Sequence, residues 1–336
     1  MGHRANLVVV DEKEYHLYYC HWCALTIPRD LFWGPEWALG FIAQQESVEP
    51  TAWLDNIWAE GGALVDIHAK VVLFWGLSAV GALPNRRIYL ELMREVWQGW
   101  TVRWASEEIY DLADYVKLDR DTVTSHVLSD DENDAIWVSH LLTLNELKEI
   151  MVVGSVRWED ERLQLVPIAG WSRYLTKGDS ILDDIRAHPF IESLDLAGAG
   201  VPLPHIGFHV NVARRQIAIW GSSAPNLDRV KKAWAGWEVR WLDDDYHFHL
   251  AATDGKLTLP LPSMETILAE IEEDLLSPQQ NTGIDLITML TGQLTGEGHS
   301  VDVTPSAMTE TPQSTPNEVR RAIFDRALAA WLSKQV

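Results

Sequence analysis

The tripeptide Val-Arg-Trp occurs three times, at Val102-Arg103-Trp104, Val156-Arg157-Trp158 and Val239-Arg240-Trp241, each time after a segment of similar make-up. A chain that carries one segment repeatedly is built from copies of a supersecondary unit, which narrows the folds open to it. An upstream Trp stands 21 residues before the closing one in two copies (Trp137 to Trp158, Trp220 to Trp241) and 29 before it in the other (Trp75 to Trp104). The stretches from Trp97 to Trp104 and from Trp234 to Trp241 agree almost position for position.

The copy ending at Trp241 is the easiest to read. Phe208, Val210 and Val212 alternate with polar residues, Ala213-Arg214-Arg215 turns, and Gln216 to Trp220 returns as an apolar strand. Asn226 caps a helix that Gly236 ends, and Glu238 to Trp241 is a further strand, so the unit is ββαβ. The first copy has the same parts: strands at Val65–Ile67 and Val71–Trp75, a helix after Pro84-Asn85, and a strand to Trp104. Pro to the first Trp of the shared block spans 13 residues there (84 to 97) and 9 in the last copy (225 to 234), a difference close to one helical turn of ~3.6 residues. In the middle copy a hairpin is expected over 122–139, with a Thr143/Glu146 capping box opening a helix. Weaker hairpin-helix units flank the three, over 6–45 and 246–276.

These readings predict an α+β fold of tandem ββαβ pseudo-repeats, with antiparallel sheets covered by helices on one face. Two repeat regions are expected, 1–120 and 121–290. Residues 291–316, rich in Thr, Ser, Gly and Pro, read as a linker. From 317 to 336 a docking helix follows, with Val319, Ile323, Ala327, Leu328, Trp331 and Leu332 as its apolar stripe and Arg320, Arg321 and Arg326 on other faces.

A net charge of -22 over 336 residues weighs against nucleic acid and anionic membrane surfaces as partners, and suits a basic protein partner. Neither a signal peptide at the N-terminus nor an apolar run of membrane-spanning length can be drawn, so a cytoplasmic protein is expected. Cys20 and Cys23 are the only cysteines, and in an apolar strand they read as buried reduced thiols.

Four groups of residues have chemical potential. Asp245, His247 and His249 alternate along an expected strand, which would put an acid and two imidazoles on one face; with His205 or His209 they could hold a divalent metal for hydrolysis. A solvated strand face accounts for the same pattern. Arg103, Arg157 and Arg240 could line one cleft and grip a carboxylate or phosphate, although acids follow each of them and local ion pairs are the simpler account. Among the 17 tryptophans those in the repeats read as wedges between helix and sheet, and those outside them, Trp22, Trp33, Trp37, Trp53, Trp58 and Trp171, are candidates for a ligand surface, Trp58 and Trp171 foremost. Cys23 with His21 as nucleophile and base, or Glu60 beside the Gly61-Gly62 turn, are the remaining catalytic candidates.

No phosphate-binding loop, dinucleotide fingerprint or hydrolase elbow is present, and no organic cofactor is implied. The leading expectation is an acidic cytosolic binding protein of inhibitor or immunity type, without catalysis. A metal-dependent hydrolase is the first alternative, and recognition of a small anion or glycan by Arg and Trp the second.

Overall fold

The computed structural model describes residues 3–12, 14–125, 139–170, 172–277, 282–303, 305–308 and 315–335. The chain forms two compact units, one of Met1–Ser125 with Met264–Val336, the other of His126–Ser263. Both are α+β, and each is built on a six-stranded mixed sheet.

In unit 1, β1 (Ala5–Asp11) and β2 (Glu14–Cys20) form a hairpin, as do β4 (Gly61–Asp66) and β5 (Val71–Trp75). The hairpins join side by side through the parallel pair β1 and β4. Helices α1 (Ile27–Leu31) and α2 (Pro35–Ile42) lead from the first hairpin to the edge strand β3 (Glu46–Val48). From β5 the chain passes through α3 (Leu83–Val96) to β6 (Thr101–Trp104), which pairs parallel with β5, and then into α4 (Ile109–Tyr115). Side chains alternate across the strands. Ala5, Leu7, Ala63, Val65, Val72 and Phe74 pack under α1 to α3, while Val8, Val10, Leu64, Leu73 and Trp75 pack under α4.

Unit 2 repeats this plan. Strands β8 (Ile150–Arg157) and β9 (Leu163–Ala169) form the first hairpin, β11 (Ile206–Asn211) and β12 (Gln216–Gly221) the second, with β8 and β11 parallel at the centre. Helix α5 (Ile181–Ala187) lies in the connection between hairpins; α6 (Leu227–Ala233) leads to β13 (Glu238–Trp241), and α7 (Tyr246–Ala252) follows. The outer edge is β7 (His140–Leu141), which precedes its hairpin in the chain, whereas β3 follows its own. Short strands β10 (Leu194–Asp195) and β14 (Leu257–Thr258) make a separate parallel pair.

The repeat is therefore a duplication of the whole sheet. The first and last Val-Arg-Trp copies fall in equivalent strands, β6 and β13, and their indoles act alike. Trp97 donates its Nε1–H to the Leu31 carbonyl (2.9 Å) and Trp234 to that of Leu175 (2.8 Å). Each stands edge-on, 5.0 Å between centroids, to the Trp three residues later, Trp100 or Trp237. The middle copy is corrected: Val156 and Arg157 end β8, the counterpart of β1, and no closing strand of a ββαβ unit is there. Most of the hairpin expected over 122–139 lies outside the described residues. Thr143 and Glu146 are joined, since the Glu146 carboxylate accepts from the Thr143 amide and hydroxyl, but a single 3-10 turn at Leu147–Glu149 follows them in place of a helix.

Residues 264–290, placed by sequence in the second region, belong to unit 1. There α8 (Met264–Leu276) packs on α3. Helix α9 (Thr282–Gly296) occupies the start of the expected linker; its Thr288 and Thr291 hydroxyls donate to carbonyls one turn back, a satisfaction that lets threonine sit inside a helix. Helix α10 (Asn317–Ser333) packs against α3 and α8 through Ile323, Phe324, Ala327 and Trp331. Arg320, expected on another face, is fully buried 3.8 Å from Asp30, and Leu332, expected in the stripe, is 47% exposed. Among the described residues no helix is long and apolar enough to cross a membrane.

Candidate functional site

The registers of the two sheets place their residues in one-to-one correspondence. On the face under α4, one cross-sheet row of unit 1 reads Val8, Leu64, Leu73, Arg103, and the next reads Val10, Asp66, Val71, Thr101. Under α7 the matching rows of unit 2 read Ser155, His209, Ala218, Arg240 and Arg157, Asn211, Gln216, Glu238. In both sheets an indole lies over a glycine on the paired strand, Trp75 over Gly62 and Trp220 over Gly207; a Cβ on either glycine would collide with the ring. Counting from Trp104 and Trp241, Leu112 of α4 corresponds to His249 of α7. Val8, Leu64 and Leu112 belong to one apolar cluster. Their counterparts are Ser155, His209 and His249.

A buried polar group stays only if it is bonded, and these three are. Trp220 Nε1 lies 3.0 Å from His249 Nδ1; Ser155 Oγ lies 2.8 Å from His249 Nε2 and 2.8 Å from His209 Nδ1. The indole nitrogen only donates, so His249 Nδ1 accepts and its proton is on Nε2. That proton goes to Ser155 Oγ. The serine hydroxyl, fully buried, then donates to His209 Nδ1, and the His209 proton is on Nε2. Nε2 has no protein partner among the described residues, and His209 lines a cavity. Burial, with the charge of Arg157 second, lowers the His209 pKa to about 4; burial, with His209 second, lowers that of His249 to about 3. Both rings are neutral near pH 7.

The cavity beside His209 has a volume of about 190 Å³. Arg157, Arg214 and Arg240 line it with the amides of Asn211 and Gln216, and its walls are Ile217, Ala218, Phe248 and Ala252. No carboxylate is among these residues. Arg157 is partly neutralised: its Nη2 donates to Asp254 Oδ2 (2.8 Å) and to the Ala252 carbonyl (2.9 Å). Arg240 packs its guanidinium 5.4 Å from the Phe248 ring centroid, and neither it nor Arg214 has an acidic partner among the described residues.

Unit 1 shows how the same place is closed. Tyr115, counterpart of Ala252, donates its hydroxyl to Asp66 Oδ2 (2.9 Å), and Leu73 stands where Ala218 does. Asp111 stands where Phe248 does; burial raises its pKa, and the nearby Arg103 charge works against that rise. Unit 2 thus exchanges two large side chains for alanines, which opens the space. It also exchanges Asp66 and Asp111 for Asn211 and Phe248, which leaves it cationic.

The structure unites part of the sequence's site readings. Arg157, Arg240, His209 and His249 meet in unit 2. Arg103 belongs to unit 1, whereas Arg157 and Arg240 belong to unit 2, where Arg214 is the third guanidinium. The metal reading is corrected, because 246–252 is a helix with Asp245 as its cap, accepting from the Phe248 amide at 3.4 Å. Over so short a run apolar alternation does not separate strand from helix, and the buried Tyr246, His249 and Thr253 recur at helical spacing. His247 is exposed while His249 is buried, and among the described residues no group of three or more His, Cys, Asp or Glu could hold a metal ion. Cys20 and Cys23 form a disulfide, their Cα atoms 5.6 Å apart where the chain leaves β2 for a 3-10 turn, so Cys23 is not the free thiol expected, and His21 instead bonds the Tyr19 hydroxyl (2.9 Å). Glu60 lies 3.4 Å from His3, and Trp58, 53% exposed, lies under the Arg4 guanidinium, both in unit 1. Trp171 lies outside the described residues. Ser155 and Arg214 were missed; the change from Val8 to Ser155 becomes visible only once β8 is aligned with β1.

Comparison of the chain with family models, curated proteins and solved structures finds no match.

Proposed function

We propose that unit 2 is a binding module for a small anion, received in the cavity between α7 and the β11–β13 part of the sheet. The observation that carries this reading is the lining: three guanidiniums and one imidazole with no carboxylate, at a place that unit 1 fills with Leu73, Tyr115 and two acids. Of the three guanidiniums only Arg157 has an acidic partner among the described residues, and a bound anion offsets the charge of the other two. Guanidinium groups present paired N–H donors that suit carboxylate and phosphate oxygens. The role is binding. Ser155 is no nucleophile here, since its hydroxyl is fully buried and held between two imidazoles.

Calorimetric titration of the whole protein with phenyl phosphate, phenyl sulfate and benzoate at low salt tests this. Saturable binding is expected, with at least a tenfold loss in Arg240→Ala and a matching rise in melting temperature for the unaltered protein. Absence of saturable heat for all three anions overturns the reading.

A further inference from the structure

Resting on that reading, we infer that the anion is the dianionic phosphoryl group of an organic phosphomonoester, bound by Arg214 and Arg240 with His209 Nε2–H donating to a third oxygen, and that the Trp220–His249–Ser155 relay holds that proton toward it.

Charge sets the valence. Arg157 already shares its positive charge with Asp254 at 2.8 Å and Glu161 at 3.8 Å, so Arg214 and Arg240 remain as two uncompensated cations. A dianion matches them, and a monoanion leaves one over. The lining sets the number of acceptors, since Arg214, Arg240 and His209 are three donors at one cavity. A phosphoryl group offers three acceptor oxygens, and its second ionisation lies near pH ~6. A carboxylate offers two oxygens and one charge.

The relay has directional meaning. Because Trp220 can only donate, every bond in the chain runs one way, from Trp220 through His249 and Ser155 to His209 Nδ1. His209 therefore faces the cavity as a neutral donor and cannot accept there. A ligand oxygen that still bears a proton meets a donor with a donor, whereas a fully ionised oxygen accepts. Unit 1 has Val8, Leu64 and Leu112 at these positions, so the sheet packs without the relay, and its presence in unit 2 serves something other than packing.

Size and lining set the rest of the ligand. About 190 Å³ is below the ~300–1,000 Å³ of pockets that engulf drug-sized molecules, so the cavity takes the phosphoryl end while the organic part leaves past Phe248.

Titrations of phenyl phosphate and phenyl sulfate into the protein at pH 7.5 and pH 5.0 decide the matter, since the two ligands share shape and ring but differ in charge. Phenyl phosphate is expected to bind at least tenfold tighter at pH 7.5 and to weaken about tenfold at pH 5.0 as the dianion becomes a minor species, while phenyl sulfate changes little. The protein groups facing His209 do not supply that change. A guanidinium does not lose its proton in this range, His209 and His249 titrate below it, at about 4 and about 3, and the bond to Arg157 lowers the Asp254 pKa. Saturable binding with equal affinity for both ligands would sink the phosphomonoester and leave the anion reading standing; no binding of either removes both. The relay is tested by Ser155→Val with His249→Leu, the residues of unit 1. Weakening of phenyl phosphate by tenfold or more is expected, together with a change in the 15N shifts of the His209 ring. Unchanged affinity or unchanged shifts in the folded variant would refute the relay, and should that variant not fold, Trp220→Phe, read by the same shifts, takes its place.

Discussion

Trp220 donates its indole N–H to His249 Nδ1 across 3.0 Å, and that one bond decides the tautomer of a buried histidine on which two further hydrogen bonds depend. In unit 1 the same indole position, Trp75, lies over Gly62 beside Leu112, with no imidazole to orient. One architectural device thus serves two ends. The ring fills the space above a glycine in both sheets, and only in the second does its N–H carry consequences for a cavity.

Trp220→Phe keeps most of the ring and removes the donor. The expected cost is about 1–3 kcal/mol for an unsatisfied buried acceptor beyond the loss of ring volume, and Trp75→Phe, which loses volume alone, is expected to cost less. Freed from its donor, His249 can also take the other tautomer. Histidine 15N spectra should show a single tautomer in the unaltered protein and a mixture in Trp220→Phe; a single unchanged tautomer would remove the directional relay.

The duplicated plan was legible in the sequence wherever identical residues recur. The blocks from Trp97 to Trp104 and from Trp234 to Trp241 occupy equivalent strands, with Gly99 and Gly236 both in the left-handed region at φ 78° and 80°. The plan was illegible where the copies share burial without sharing residues. Strand β8 aligns with β1, yet Gly154, Ser155 and Arg157 stand against Leu7, Val8 and Val10, so the chance tripeptide at 156–158 outweighed the true correspondence. His209, His249, Arg157 and Arg240 were each singled out by chemistry, but what gathers them is register across four strands and one helix. Spacing along the chain does not contain that information. The helix at 246–252 is the least legible element, since its alternating apolar residues fit a strand equally well and only the Asp245 cap distinguishes the two.

In unit 1 the C-terminal helix α10 is tied down by charge as well as by apolar contact. Arg320 and Asp30 are both fully buried 3.8 Å apart, the Arg320 guanidinium lies 5.3 Å from the Trp33 ring centroid, and burial raises the Asp30 pKa to about 6 against the pull of Arg29 and Arg320. Removing one partner of a buried pair strands the other, whereas replacing both with apolar groups of similar volume is often neutral or better. Arg320→Met is therefore expected to cost about 3–5 kcal/mol, and Arg320→Met with Asp30→Leu to recover most of it. Urea unfolding of the single and double variants checks this. A double variant no more stable than the single one would show that the pair is not the source of the loss.

The two imidazoles of unit 2 make its stability depend on pH with a definite sign. Their folded pKa values, about 4 for His209 and about 3 for His249, lie below the ordinary value of ~6.5, so on acidification the unfolded chain takes up protons that the native state refuses. Their contribution is complete above pH ~6.5 and is lost progressively as pH falls from there toward the folded values. Between pH 7.5 and 5.0 the expected loss is on the order of 4 kcal/mol, about 2 for each ring. Ser155→Val with His209→Leu and His249→Leu, which installs the apolar cluster of unit 1, should abolish that loss. Hydrogen exchange of the β8 and β11 amides in urea reads unit 2 by itself, and the quantity to compare is the change in opening free energy between the two pH values. Equal changes in the variant and the unaltered protein would mean that carboxylates elsewhere in unit 2 carry the acid sensitivity, and the neutral imidazoles would then have no part in it.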